Sequence, residues 1–486
     1  MLFFTTGMID LKNLTINKAH ESMMKGEYTA VDLVKSYLEV IKEKNSELNI
    51  YLEVFEEDAL KQARLADLRF KEGTAVEMTG IPVALKDNIL YEGHTVSAAS
   101  KILENYKATY DSTVVKKLKD AGAVILGRTN MDEFAMGVST ENSAFGVTKN
   151  PHDTRRVPGG SSGGSTAAIA VNASLVALGS DTGGSCRQPA AFCGVVGFKP
   201  TYGSVSRHGL IAMGSSLDII GPITRSVSDA EVLFNTIKGQ DPMDSTSIPQ
   251  NISGRKGASK PVIGIPREFL KMGVDERILT NFNEAVSKLE SLGYEVRDVN
   301  LPNVKYTVPV YYIITPAEVS SNLARFDGVK YGLHIDGGTN LLDDYFKSRG
   351  AGFGPEVKRR IIVGTYVLSS GYHDAYYNKA MAVRDLITED YRKAFEEVDV
   401  ILTPTTTGPA FKIGEKVNDP VKMYLEDIFT GPANIAGLPA VSIPSGFLEE
   451  EGIKLPLGIQ FMASHHREDL LFEVGSKFEA LQRSVI

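Results

Sequence analysis

Two glycine–serine loops constrain this chain more than any other feature: Gly-Gly-Ser-Ser-Gly-Gly-Ser at 159–165 and Asp-Thr-Gly-Gly-Ser at 181–185, at the two ends of one mostly apolar segment. Glycine loses more backbone freedom on folding than any other residue, so this density is costly inside a fold. It marks a place where backbone comes close to something, and the embedded serines bring chemistry to that place. A serine hydroxyl is a poor nucleophile until a base takes its proton. The usual base is histidine, but none of the 8 histidines sits in either loop or in a nucleophile-elbow pattern. A lysine stands out instead. Ile81-Pro82-Val83-Ala84-Leu85-Lys86 reads as a short buried strand ending in Lys86. Lysine is almost never fully buried unpaired, and burial favours its neutral form, which can serve as a base. The bland alternative for Lys86 is a salt bridge to Asp87 or another carboxylate. For the loops it is a phosphate cradle, but they lack both the Gly-Lys-Ser/Thr ending of a P-loop and the G-x-G-x-x-G spacing.

Lys86 followed by these two loops resembles the amidase signature family. That resemblance implies a Ser-cisSer-Lys triad with Ser185 as nucleophile, Ser161 as bridging serine and Lys86 as base. Ser162 and Ser165 are neighbours, outside the triad. It also implies a cis peptide at Gly160-Ser161, a bond that would have to be held by its surroundings. An oxyanion would be met by backbone N–H groups of the glycine turn, from Thr182, Gly183, Gly184 and Ser185. The fold implied is α/β, a large mixed β-sheet covered on both faces by helices, in one domain over residues 8–486.

Three further stretches, at 130–137, 320–328 and 352–360, resemble the ammonia-supplying subunit of the family's tRNA-dependent amidotransferases. The first is shared widely in the family; the other two favour that branch over a general amidase. The resemblance implies glutamine as amide donor, with Arg360 on its α-carboxylate, Asp427 on its ammonium, and Tyr311, Met136 and Gly137 bordering the pocket. A carboxylate suits arginine and an ammonium suits an acid. It further implies a heterotrimer with B and C subunits, Glu-tRNA(Gln) held mainly by a partner, and ATP and Mg²⁺ used through that partner, with no cofactor in this chain. Read without the resemblance, Arg360 in Lys358-Arg359-Arg360 belongs to a solvated basic patch. The rival readings are a stand-alone amidase with the same triad and a catalytically silent scaffold.

The remainder of the chain supports a soluble, cytoplasmic protein. Its formal net charge of −8 gives no global pull on nucleic acid. Two cysteines, Cys186 and Cys193, fit a reducing compartment and read as small buried residues rather than metal ligands. Residues 1–7 resemble neither a signal peptide nor a membrane anchor and are expected to be an upstream extension. Residues 15–72 read as helices, with Thr29 and Asp32 as an N-terminal cap. Helix and strand then alternate: a helix at 112–121, strands at 123–127 and 175–178 around a helix at 166–171. The segment 251–257 reads as loop. A β-α-β unit over 262–301 belongs either to the same sheet or to a subdomain. A helical region covers 311–395, strands fall at 398–402, 440–444 and 457–462, and a closing helix at 469–481. Arg187 is expected in a salt bridge with Asp181 or Asp218.

Overall fold

The structure, a computed structural model, describes residues 9–249, 260–416 and 419–483. The expected extension at 1–7 and the polar loop at 251–257 lie outside the described residues. Eleven strands form one sheet: β1 Tyr51–Val54, β2 Pro82–Lys86, β3 Val124–Thr129, β4 Val176–Asp181, β5 Val196–Lys199, β6 Ile219–Thr224, β7 Ile263–Ile265, β8 Val296–Asp298, β9 Val400–Pro404, β10 Ala440–Glu450 and β11 Ile453–Ala463. Their spatial order is β1-β3-β2-β4-β6-β5-β10-β11-β9-β7-β8. β2 runs parallel to β3 and β4, and β7 parallel to β8 and β9. The centre, from β4 through β6, β5, β10 and β11 to β9, is antiparallel. The sheet is therefore mixed, as expected. Every residue of β2, β4, β5 and β6 is buried, as in a sheet with helices on both faces. The β-α-β unit enters this same sheet through β7 and β9, so it is not a subdomain.

Local rules account for most helix boundaries. Thr29 and Asp32 form the reciprocal cap of the helix Ala30–Leu48. Ser112 caps the helix Thr113–Asp120 through a hydrogen bond from Val115 N. Two expectations need correction. The span 15–72 is not all helical, because β1 interrupts it and pairs antiparallel with β3. A four-residue edge strand takes its stability from the neighbouring ladder rather than from its own pattern. The helix expected at 166–171 is Gly163–Ala170, starting inside the first glycine loop. Those glycines are helical for reasons of space: a Cβ on Gly164 would come within 2.6 Å of Asn130 N.

Topology places the two loops. β2 and β4 are parallel neighbours, with Leu85 opposite Leu178, so their carboxyl ends emerge side by side. Lys86 ends β2, and the Asp181–Ser185 turn leaves the end of β4. The helix Gly163–Ala170, preceded by the Ser161 loop, packs beside that turn. A Cβ on Gly179 of β4 would meet Ser162 Oγ at 2.8 Å. Carboxyl ends of adjacent parallel strands are where α/β sheets build sites.

Candidate active site

Lys86 is fully buried, and its ammonium group is surrounded by serines. Nζ lies 2.7 Å from Ser161 Oγ, 2.8 Å from Ser162 Oγ, 2.9 Å from Ser180 Oγ and 3.2 Å from Ser180 O. Burial pulls Lys86 down to about 8, against the opposing influence of Asp132, Asp181 and Asp218. A minority of the amine is therefore neutral near physiological pH, far more than for an ordinary lysine. Asp87 is not its partner: that carboxylate takes Arg128 Nη1 at 2.9 Å and the backbone N–H groups of Ser97 and Ala99. The salt bridge to Asp87 or another carboxylate is not formed: the hydrogen-bond partners of Lys86 Nζ are all serine atoms.

Gly160-Ser161 is a cis peptide, and so is Gly137-Val138, which the sequence did not announce. Asp132 sits between these two segments. Its Oδ1 accepts from Asn142 N at 3.2 Å, its Oδ2 has no hydrogen-bond partner, and burial pushes it up to about 7. A side chain on Gly160 would strike Asp132 Oδ2 and come within 2.7 Å of Ser139 N. This close approach is the reason for glycine at that position.

Ser185 is buried but for 7% of its surface. Its carbonyl accepts from Ser162 N at 3.2 Å, which places the nucleophile turn against the Ser161 loop. The turn is held from below by Asp181. Oδ1 accepts from Gly184 N at 2.9 Å and Oδ2 from Cys186 N at 3.1 Å. Arg187, fully buried, clamps the same carboxylate through Nη2 at 3.0 Å and Nε at 3.1 Å. Burial alone would raise Asp181, but the Arg187 guanidinium holds it at about 2. The expected Arg187 bridge is thus to Asp181, while Asp218 accepts from Thr182 Oγ1 at 2.7 Å. The Asp181 bond also corrects the oxyanion set. Gly184 spends its N–H on the carboxylate, leaving Thr182, Gly183 and Ser185 as candidate donors. Both cysteines are buried free thiols, raised to about 12 by burial.

A second group of side chains converges on the turn from the helical region. Tyr311 is buried with its hydroxyl 2.8 Å from where a Gly183 side chain would stand. Thr430 Oγ1 donates to Gly183 O at 2.7 Å. Arg360 is not on a solvated patch: it is 2% exposed, with its guanidinium 5.2 Å from the Tyr312 ring centre. Its Nε donates to Glu356 Oε1 at 2.8 Å, while Nη1 is buried with no hydrogen-bond partner. Asp427 accepts from the Tyr312 hydroxyl at 3.2 Å, and burial raises it to about 8 despite Arg360 nearby. Gly137 lines a cavity whose lining does not include Tyr311, Arg360, Asp427 or Ser185. That cavity, of about 150 Å³, lies between Gly137 and Ser139 on one side and Glu356, Arg359 and Tyr424 on the other. Met136 is buried, its carbonyl accepting from Asn142 Nδ2 at 2.9 Å.

Four contributors were missed by sequence reasoning. Ser180 touches Lys86 directly, and Asn88 Nδ2 donates to Ser180 Oγ at 2.9 Å. Asp132 backs the Ser161 loop. Glu133 accepts from Gly354 N at 2.9 Å, tying the Met136–Gly137 loop to the start of the helix Pro355–Val367 that carries Arg360. Ser162 was named but set aside; the structure puts it on Lys86 as directly as Ser161. Among the described residues no group of three or more His, Cys, Asp or Glu is placed to hold a metal ion, and no helix is long and apolar enough to cross a membrane.

The chain matches the model of the family described as Amidase over residues 32–472. It is 52% identical over 476 residues to the glutamyl-tRNA(Gln) amidotransferase A chain of Caldanaerobacter subterraneus subsp. tengcongensis, covering 97% of each. The crystal structure of the corresponding glutamyl-tRNA(Gln) amidotransferase A chain from Thermotoga maritima superposes with a TM-score of 0.77 at 43% identity, covering 96% of this chain and 95% of that one. Native peptide amidase from Stenotrophomonas maltophilia superposes with a TM-score of 0.80 at 28% identity, covering 98% of both.

Proposed function

The chain belongs to the amidase family, and we propose that it is the glutamine-hydrolysing subunit of a glutamyl-tRNA(Gln) amidotransferase, releasing ammonia for a partner that amidates Glu-tRNA(Gln). The observation that carries this reading is the unpartnered Nη1 of buried Arg360, whose guanidinium acts on the buried Asp427 carboxyl. An unsatisfied guanidinium nitrogen in a buried pocket is expensive unless a ligand completes it. A glutamine α-carboxylate would do so, and Asp427 would take the α-ammonium. Once paired with that cation, Asp427 becomes an anion.

On this reading the reaction runs through Lys86, Ser161 and Ser185. Neutral Lys86 accepts the Ser161 proton as Ser161 accepts that of Ser185, and Ser185 Oγ attacks the side-chain amide carbon. The oxyanion is met by the N–H groups of Thr182, Gly183 and Ser185. The proton returns through Ser161 to the leaving nitrogen, the C–N bond breaks, and ammonia departs from a γ-glutamyl ester on Ser185. Water then attacks that ester along the same relay. Tyr311, Met136 and Gly137 border the substrate, and Lys86, Ser161 and Ser185 act on it.

ATP and Mg²⁺ belong to the partner's activation of the tRNA-bound carboxylate. The assembly is a heterotrimer with B and C subunits in the cytoplasm, in which ammonia travels a protected route. The test is ammonia release from glutamine by the purified chain, alone and with its partners, ATP and Glu-tRNA(Gln). Weak release that rises with partners and charged tRNA supports the reading. Vigorous release from simple amides with no response to partners would make the chain a stand-alone amidase.

A further inference from the structure

The relay needs more than a neutral lysine: the one lone pair of that amine must face Ser161. Counting protons around Nζ shows what decides its direction. A neutral primary amine has two N–H donors and one lone pair. Ser162 Oγ gives its own proton to Ser180 O at 3.2 Å, so toward Lys86 it presents only a lone pair. Ser180 Oγ receives Asn88 Nδ2 at 2.9 Å and lies 2.9 Å from Lys86 Nζ, which donates to it. The two amine protons are then taken up by Ser162 Oγ and by Ser180, the latter through its Oγ at 2.9 Å with its carbonyl O alongside at 3.2 Å. The lone pair is left toward Ser161 Oγ, the shortest of the contacts at 2.7 Å.

We infer that Asn88 and Ser180 are positioning residues that aim the Lys86 lone pair at Ser161, an inference that rests on the reading of Lys86 as the base. Both are buried, at 2% exposure each. Asn88 lies two residues beyond Lys86, where the chain leaves β2, and Ser180 is on the adjacent parallel strand β4. Asn88 anchors the Ser180 hydroxyl from one side so that its oxygen, not its proton, is offered to the amine. Without Asn88, Ser180 is free to turn its own O–H onto Nζ and occupy the lone pair meant for Ser161. Without the Ser180 hydroxyl, the second amine proton keeps only the longer contact to Ser180 O at 3.2 Å, and the group is free to rotate.

The experiment measures glutamine hydrolysis across pH with the full chain in complex with its partner subunits, comparing wild type, Ser180→Ala, Asn88→Ala, the double variant and Lys86→Met. Each single variant is expected to lower kcat by about tenfold or more with little change in KM, the signature of lost alignment. The double variant should be no slower than Ser180→Ala alone, because both substitutions break the same bond. The acid limb of the rate profile should also move to lower pH in both singles. Removing an acceptor destabilises the ammonium, and a donated O–H stabilises the neutral amine. The ionisable groups acting on Lys86 from the surrounding elements are Asp132, Asp181, Asp218 and Cys186, and these variants leave all of them in place. A purely structural role would lower stability without moving that limb. Circular dichroism and the melting temperature confirm folding, and if Ser180→Ala does not accumulate folded, Asn88→Ala decides alone. Single variants within twofold of wild type, an unmoved acid limb, or a double variant whose loss is the product of the single losses would overturn the inference. Retained activity in Lys86→Met would instead overturn the reading of Lys86 as base.

Discussion

Replacing Arg187 by methionine removes the cation beneath the nucleophile turn and leaves Asp181 buried without it. Arg187 makes five hydrogen bonds there: two to Asp181 and one each to Thr430 O, Gln460 Oε1 and Asn434 Oδ1. Breaking a buried ion pair from one side costs about 3–5 kcal/mol, because the remaining charge is uncompensated. Asp181 itself gives a second figure. Its fall from 3.8 to about 2 is worth about 2–3 kcal/mol at neutral pH. The folded value lies below the unfolded one, so this stabilisation is complete above about pH 4 and fades as pH falls toward 2. In Arg187→Met, burial acts on Asp181 with far less opposition and raises it. The deficit should therefore grow as pH rises from acid to neutral. The chain has no tryptophan, so circular dichroism in urea is the assay. We expect a loss of about 3–5 kcal/mol at neutral pH, partly recovered in the Asp181→Asn/Arg187→Met double variant, which has no buried anion. A loss under about 1 kcal/mol, or a double variant less stable than Arg187→Met, would refute the view that this pair holds the turn.

Three other outcomes follow from the same geometry. Hydrolysis should rise with pH through the region around 8 where Lys86 loses its proton, and a rate flat from mildly acidic to alkaline pH would exclude lysine as the base. Arg360→Met should weaken glutamine binding by about 2–5 kcal/mol, read as a rise in KM, while leaving hydrolysis of an uncharged amide little changed. Gly160→Ala should destabilise the fold by about 1–3 kcal/mol or more and abolish activity, because its Cβ has no room beside Asp132 and Ser139; a normal melting temperature with full activity would contradict that packing.

The serines proposed to be catalytic stood out because the loops that carry them form a local pattern. Two glycine loops and a lysine on an apolar strand are unusual enough to stand out along the chain. The residues around Lys86 were not legible in this way. Ser180 and Asn88 are ordinary polar residues near strand ends, and only the parallel pairing of β2 with β4 brings both to one amine. Asp132 and Glu133 were not singled out within the 130–137 stretch, yet both are buried, Asp132 against Gly160 and Glu133 against Gly354. Arg360 shows the limit most clearly. Three consecutive basic residues look solvated until the helix Pro355–Val367 turns one of them inward against Tyr312. The fold class was readable from alternating helix and strand. The antiparallel centre of the sheet was not, since strand direction depends on how distant segments return.

The central claim is that Ser185 carries the acyl group of glutamine. It is tested most directly by acid-quenching the complex during turnover with glutamine and mapping the chain by peptide mass spectrometry. The account predicts a γ-glutamyl adduct on Ser185 in wild type. Ser185→Ala should give neither adduct nor ammonia while melting at the wild-type temperature. An adduct on another residue, or ammonia release undiminished in Ser185→Ala, would contradict it.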